Sequence, residues 1–130
     1  MKVFETPLYT FELTDNQKVL KFIWTDATKD MNFGHFQEAC MVYAGLAIEY
    51  GVQLLLINTL AFQYTLPDDY MDWKNAVLNP RYAKIPVAKH AYVLPPAGYD
   101  ANKEVQYQES TYENRFFATE ADALHWLLNS

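Results

Sequence analysis

Cysteine occurs once in the chain, at position 40, which excludes an internal disulfide and any cysteine-rich metal site. Glycine is nearly as sparse. Gly34, Gly45, Gly51 and Gly98 stand apart, so they cannot form a phosphate-cradling loop. Serine is confined to Ser110 and Ser130, neither in a nucleophile-elbow context. The three histidines, His35, His90 and His125, share no local motif, and the His35/Glu38 pair at i, i+3 is half a metal site at most. Asp68, Asp69 and Asp72 lack the loop glycine of a calcium motif and read as a solvated helix start. With these absences, no catalytic centre, metal or cofactor is expected, and the chain reads as non-enzymatic.

Long apolar runs are also missing. No stretch approaches the roughly 18 residues of a membrane helix, and the opening "MKVFETPLYTFEL" has no signal-peptide core. The expectation is a cytoplasmic protein with no integral membrane segment. An excess of basic residues is absent too: the formal charge is −6 and the pI is near 4.9. A general nucleic-acid binder needs a basic face to neutralise phosphates, so that class is set aside.

What the chain does have is apolar and aromatic mass. Half of its 130 residues are hydrophobic (51%) and 16% are aromatic, enough for one domain with a single core, spanning 1–130. Residues 3–14 and 18–28 are rich in aromatic and β-branched residues and flank Asp15-Asn16, which predicts a hairpin; Pro7 suits an edge strand or a bulge. From Asp30 to Tyr50 the period changes to that of a helix. Phe36, Cys40 and Ala44 share one stripe, Asp30 or Asn32 can cap the start, and Gly51 can end it. Cys40 therefore reads as a buried structural thiol. Gly45, mid-helix, suggests close approach by another backbone.

The run "VQLLLIN" after that helix reads as a strand buried on both faces. A connection at 59–66 leads to a helix over 67–79, with Pro67 at its start and Pro80 at its stop. "IPVAKHAYVLPP" predicts another strand, 97–111 a loop with one short helix around Asn102 to Gln108, "YENRFFA" the last strand and "TEADALHWLLN" the last helix, capped by Thr119. The order is β-β-α-β-α-β-(α)-β-α, an α/β fold with a mixed, largely parallel sheet covered by helices.

Leu54 to Asn58, together with Phe117, Thr119, Ala123, Leu124, Trp126 and Leu127 in the closing strand-helix unit, resemble the SpoIIAA-like proteins. These are STAS-type domains with the fold of anti-anti-sigma factors, comparable with Sec14/CRAL-TRIO domains. The resemblance implies a non-catalytic binding domain. The anti-anti-sigma branch carries a phosphorylatable serine after its third strand. Here that segment reads "NTLAFQYT": Asn58 replaces the acid, Thr59 is the only nearby hydroxyl and no glycine follows, so phosphorylation is not carried over to Thr59.

Three features remain as candidates for function. Met41, Val42, Leu46 and Ile48 lie off the core stripe of the long helix and form a candidate interface with a protein partner or a second copy, a homodimer. Phe62, Tyr64, Tyr70 and Trp73 follow a strand end where ligands tend to sit, and with Arg81 or Lys84 for an acidic head group they are a candidate site for a small apolar or lipid-like ligand. Lys74, Arg81, Lys84 and Lys89 fall in a stretch without acids and predict a local positive patch. On the last helix, Ala121, Leu124, Leu127 and Leu128 are expected to face the sheet. Trp126, about 200° from Leu124 on the wheel, either packs sideways on a neighbouring helix or loop or is exposed to a partner.

Overall fold

The computed structural model describes residues 1–95 and 113–129. The predicted short helix around Asn102 to Gln108 lies outside them. The N-terminal region forms three strands rather than two: β1 (Lys2–Glu5), β2 (Tyr9–Leu13) and β3 (Val19–Trp24). Pro7 sits in the turn between β1 and β2, where its missing N–H costs no ladder bond. Tyr9, Phe11 and Leu13 point inward while Thr10 and Glu12 are partly exposed, the alternation of a half-covered antiparallel ribbon.

A 3₁₀ turn (Asp26–Asp30) leads into α1 (Phe33–Tyr50). Asn32 is the cap: its side-chain oxygen accepts the His35 N–H at 2.9 Å, and the His35 ring nitrogen accepts the Asn32 N–H at 3.3 Å. Gly51 ends the helix at φ 65°, in the left-handed region open to glycine. Next come β4 (Leu54–Asn58), helix α2 over 70–82, β5 (Lys89–Val93), β6 (Glu113–Phe117) and α3 (Glu120–Leu128). Pro80 does not stop α2. The helix widens to π geometry over Lys74–Leu78 and continues through Pro80 to Tyr82. Proline lacks the N–H that would bond four residues back, and its ring crowds that carbonyl; a widened turn just before it relieves both problems.

The six strands lie in chain order, β1 to β6, with β1, β2 and β3 antiparallel and β3 to β6 parallel. This is an α/β architecture with a mixed sheet. Because the order advances without reversing, crossovers of one hand land on one face. Both α1 and the 59–88 connection do so, covering a core with Phe11, Phe22, Trp24, Phe36, Tyr43 and Leu55. The opposite face of β3 to β5 carries a smaller core of Val19, Leu56, Ala91 and Val93 under Ala123 and Leu127 of α3. Leu55 and Leu56 thus face opposite layers, as the apolar run implied.

The buried stripe of α3 departs from the expected one. Ala123 and Leu127 are buried, Leu124 and Trp126 flank them, and Leu128 is exposed. Ala121 also faces outward. The helix is fixed at both ends. Glu120 accepts from Lys21 Nζ at 2.7 Å and from Asn58 Nδ2 at 2.9 Å, while Lys89 Nζ donates to the carbonyls of Trp126 at 3.0 Å and Asn129 at 3.4 Å. Ala123 is small enough to sit at the closest approach between these ties.

Candidate functional site

The four aromatic candidates converge. The Phe36 ring lies 6.1 Å from Phe62, 6.3 Å from Tyr64, 5.6 Å from Tyr70 and 6.2 Å from Trp73. Trp24 stacks on Phe36 at 5.7 Å and meets Phe62 edge-on at 5.0 Å. The connection reaches Phe36 because the buried Thr28 hydroxyl, which donates to the Thr25 carbonyl at 2.7 Å, accepts the Gln63 N–H at 2.9 Å. All four rings are half-buried against the main core. The strand order never reverses, so β4 ends without the crevice of a topological switch point.

The candidate cations do not join these rings as one group. Lys89 is on the α3 side of the sheet, because strand alternation puts residues 89, 91 and 93 there and residues 90 and 92 on the α1 side. The predicted positive patch is therefore divided by the sheet. Lys84 is exposed beyond the end of α2.

Lys74 is half-buried, and its charge acts on Cys40 and His90. Burial holds its ammonium below the ordinary lysine value, against an opposing effect of Cys40. Burial pushes the Cys40 thiol up to about 12, slightly offset by Lys74, so the sulfur stays protonated. His90 is completely buried and stacks on Tyr92 at 4.4 Å. Burial, reinforced by the Lys74 charge, pushes its imidazole down to about 3 despite a favourable backbone hydrogen bond at Ala91. In the sequence His90 is one residue of an expected strand, with no motif to mark it. The alternation of "KHAYV" was the available signal that it faces the main core.

Thr59 is committed to the fold: its hydroxyl donates to the Val93 carbonyl at 2.8 Å and its N–H to the same oxygen at 2.9 Å. Trp126 packs on the sheet rather than on a helix or loop. Its ring lies 5.6 Å from Phe117, with Lys89 Nζ at 5.0 Å and the Arg115 guanidinium at 5.5 Å.

Of the four interface candidates, Met41, Val42 and Leu46 are half-buried flanks of the core, and Ile48 is 44% exposed. Arg81 crosses to this helix. Its Nη2 comes within 3.4 Å of where a Cβ would stand on Gly45, so the glycine meets a side chain and not the expected backbone. Phe33 and Trp73, 5.7 Å apart, mark the other end of the same α1/α2 seam. Val77, between Trp73 and Arg81 in the chain, is 42% exposed. The Arg81 Nε is buried without a hydrogen-bond acceptor among the described residues.

Among the described residues, no group of three or more His, Cys, Asp and Glu is placed to hold a metal ion, and no helix is long and apolar enough to cross a membrane. The fold defines a class, an α/β domain with a six-stranded mixed sheet. No family model, no curated protein and no solved structure matches the chain.

Proposed function

We propose that this chain is a non-enzymatic binding or regulatory domain of SpoIIAA-like type that acts through contact with a protein. The observation that carries the reading is the outer face of the helical layer, where Ile48 and Val77 are exposed on the two helices joined by the Arg81 guanidinium, which has no ion pair among the described residues. Arginine is enriched at protein interfaces, and exposed apolar groups beside it gain by losing water to a partner. Two inner groups support it: the Cys40 thiol stays protonated, and His90 is neutral and enclosed. The Ile48→Asp/Val77→Asp double variant should keep the wild-type unfolding temperature and lose whatever association the wild type shows in light scattering or affinity capture. A wild type that stays strictly monomeric and captures nothing sinks the reading.

A second reading, a carrier or sensor of a small amphipathic ligand, draws on the convergence of Phe62, Tyr64, Tyr70 and Trp73 around Phe36. Native mass spectrometry separates the two: a co-purifying lipid-like mass favours the carrier, and twice the chain mass favours association.

A further inference from the structure

The Arg81 side chain stands out among the polar groups of the helical layer. It takes part in neither of the ion pairs among the described residues, Lys2–Glu5 and Lys21–Glu120. Its Nε is buried with no acceptor among the described residues, and its Nη2 lies over Gly45, 3.4 Å from where a Cβ would stand. A guanidinium is a rigid fork that binds a carboxylate through two parallel N–H groups, and the two Nη groups of Arg81 are the ones open to a partner. The site is thus suited to a carboxylate, and the position over Gly45 is on the outer side of α1.

Carboxylates are present beside it. Glu49 is four residues beyond Gly45, hence on the same side of α1, and is exposed with no ion pair among the described residues. Ile48 and Val77 supply exposed apolar surface on the two helices, and Met41, half-buried, lies one turn before Gly45. The patch therefore contains a forked donor and a carboxylate, each without an ion pair among the described residues, with exposed apolar side chains on the same two helices. An isologous interface needs this combination, because each partner must present both halves of every pair.

Resting on the protein-binding reading above, we infer that the partner is a second copy of this chain, docked through the α1/α2 seam about a two-fold axis, with Arg81 of each protomer paired to Glu49 of the other. Ile48 and Val77 exclude water from the paired charges. The pairing also offsets locally the repulsion of two chains of formal charge −6.

Charge exchange tests this on the full chain. Sedimentation velocity should show concentration-dependent dimerisation of the wild type, weakened by more than about tenfold in Arg81→Glu and likewise in Glu49→Arg. Mixing the two variants should restore the dimer, since the mixed pair again apposes opposite charges at both contacts. Unfolding temperatures close to the wild type's establish that each variant is folded. Two results overturn the inference: a wild type monomeric at every concentration, or a dimer that neither reversal weakens. In the first case, partner capture abolished by Ile48→Asp/Val77→Asp would leave the broader protein-binding reading standing, so the two failures are told apart.

Discussion

His90 makes the stability of this domain sensitive to mild acid. Buried between the sheet and α2, it is neutral when folded and accepts a proton only near pH 3, whereas in the unfolded chain it does so near its ordinary value of 6.5. Between those values the unfolded state holds more protons, so stability falls as the pH falls, by up to about 1.4 kcal/mol per pH unit from this residue. His90→Phe, which keeps a flat ring beside Tyr92, should flatten that slope. Urea midpoints measured at pH 7 and pH 5 check it: the wild type should lose more than the variant, and equal losses would show that His90 is not the group responsible. Glu120 acts in a lower window. Burial alone would raise its carboxyl, but hydrogen bonds from Lys21 and Asn58 and the Lys21 charge bring it below the ordinary 4.5. Its contribution is complete above that value and is lost as the pH falls below it. At pH 7, Glu120→Gln should cost roughly 1 kcal/mol, since the carboxylate is partly solvated.

At the scale of elements, the long helix shows how local chemistry sets boundaries. Asn32→Ala should cost about 1 kcal/mol through the lost cap, and Gly51→Ala a similar amount because alanine resists φ 65°. Gly45→Ala should do the reverse. Its Cβ would meet the flexible tip of Arg81 at 3.4 Å, an ordinary contact, so the helix-propensity gain of up to about 1 kcal/mol should appear as a raised unfolding temperature. These ends were legible in the sequence because capping and left-handed termination depend on single residue types. The strands of "LLLIN" and "KHAYV" were legible from their apolar content. Elements were misread where a residue's local preference met a tertiary need. Pro7 split one expected strand into two, Pro80 was carried inside α2 by a π turn, and the face of α3 followed the small Ala123 and the ties at Glu120 and Trp126 rather than the leucines. The convergence of Phe62, Tyr64, Tyr70 and Trp73 was partly legible as an aromatic-rich segment. Its centre, Phe36, comes from a different element, and no local pattern links the two. The position of Arg81 over Gly45 depends on how two helices cross the same sheet, which neither helix encodes alone.

For the whole molecule, the division of the sheet into two unequal cores decides what the aromatic cluster does. The larger core contains Trp24 and Phe36, and the 59–73 segment closes it at the carboxyl ends of β3 and β4. If the segment is a structural lid, removing one of its rings opens a cavity and loses buried area, and two removals that share Phe36 are not independent. Phe62→Ala and Trp73→Ala should each cost about 2–4 kcal/mol, somewhat below the full range for buried aromatics because both rings are half-exposed. Combined, they should cost measurably less than the sum, since both meet Phe36, at 6.1 and 6.2 Å. A site built for a ligand behaves differently: there Trp73→Ala leaves the stability of the ligand-free chain nearly unchanged and lowers only the stabilisation that added ligand provides. A denaturant-based double-mutant cycle on the ligand-free chain measures the coupling. Losses under about 1 kcal/mol for both single variants would turn the choice toward the carrier, whereas large, coupled losses assign these rings to the fold and leave the outer α1/α2 face as the surface for binding.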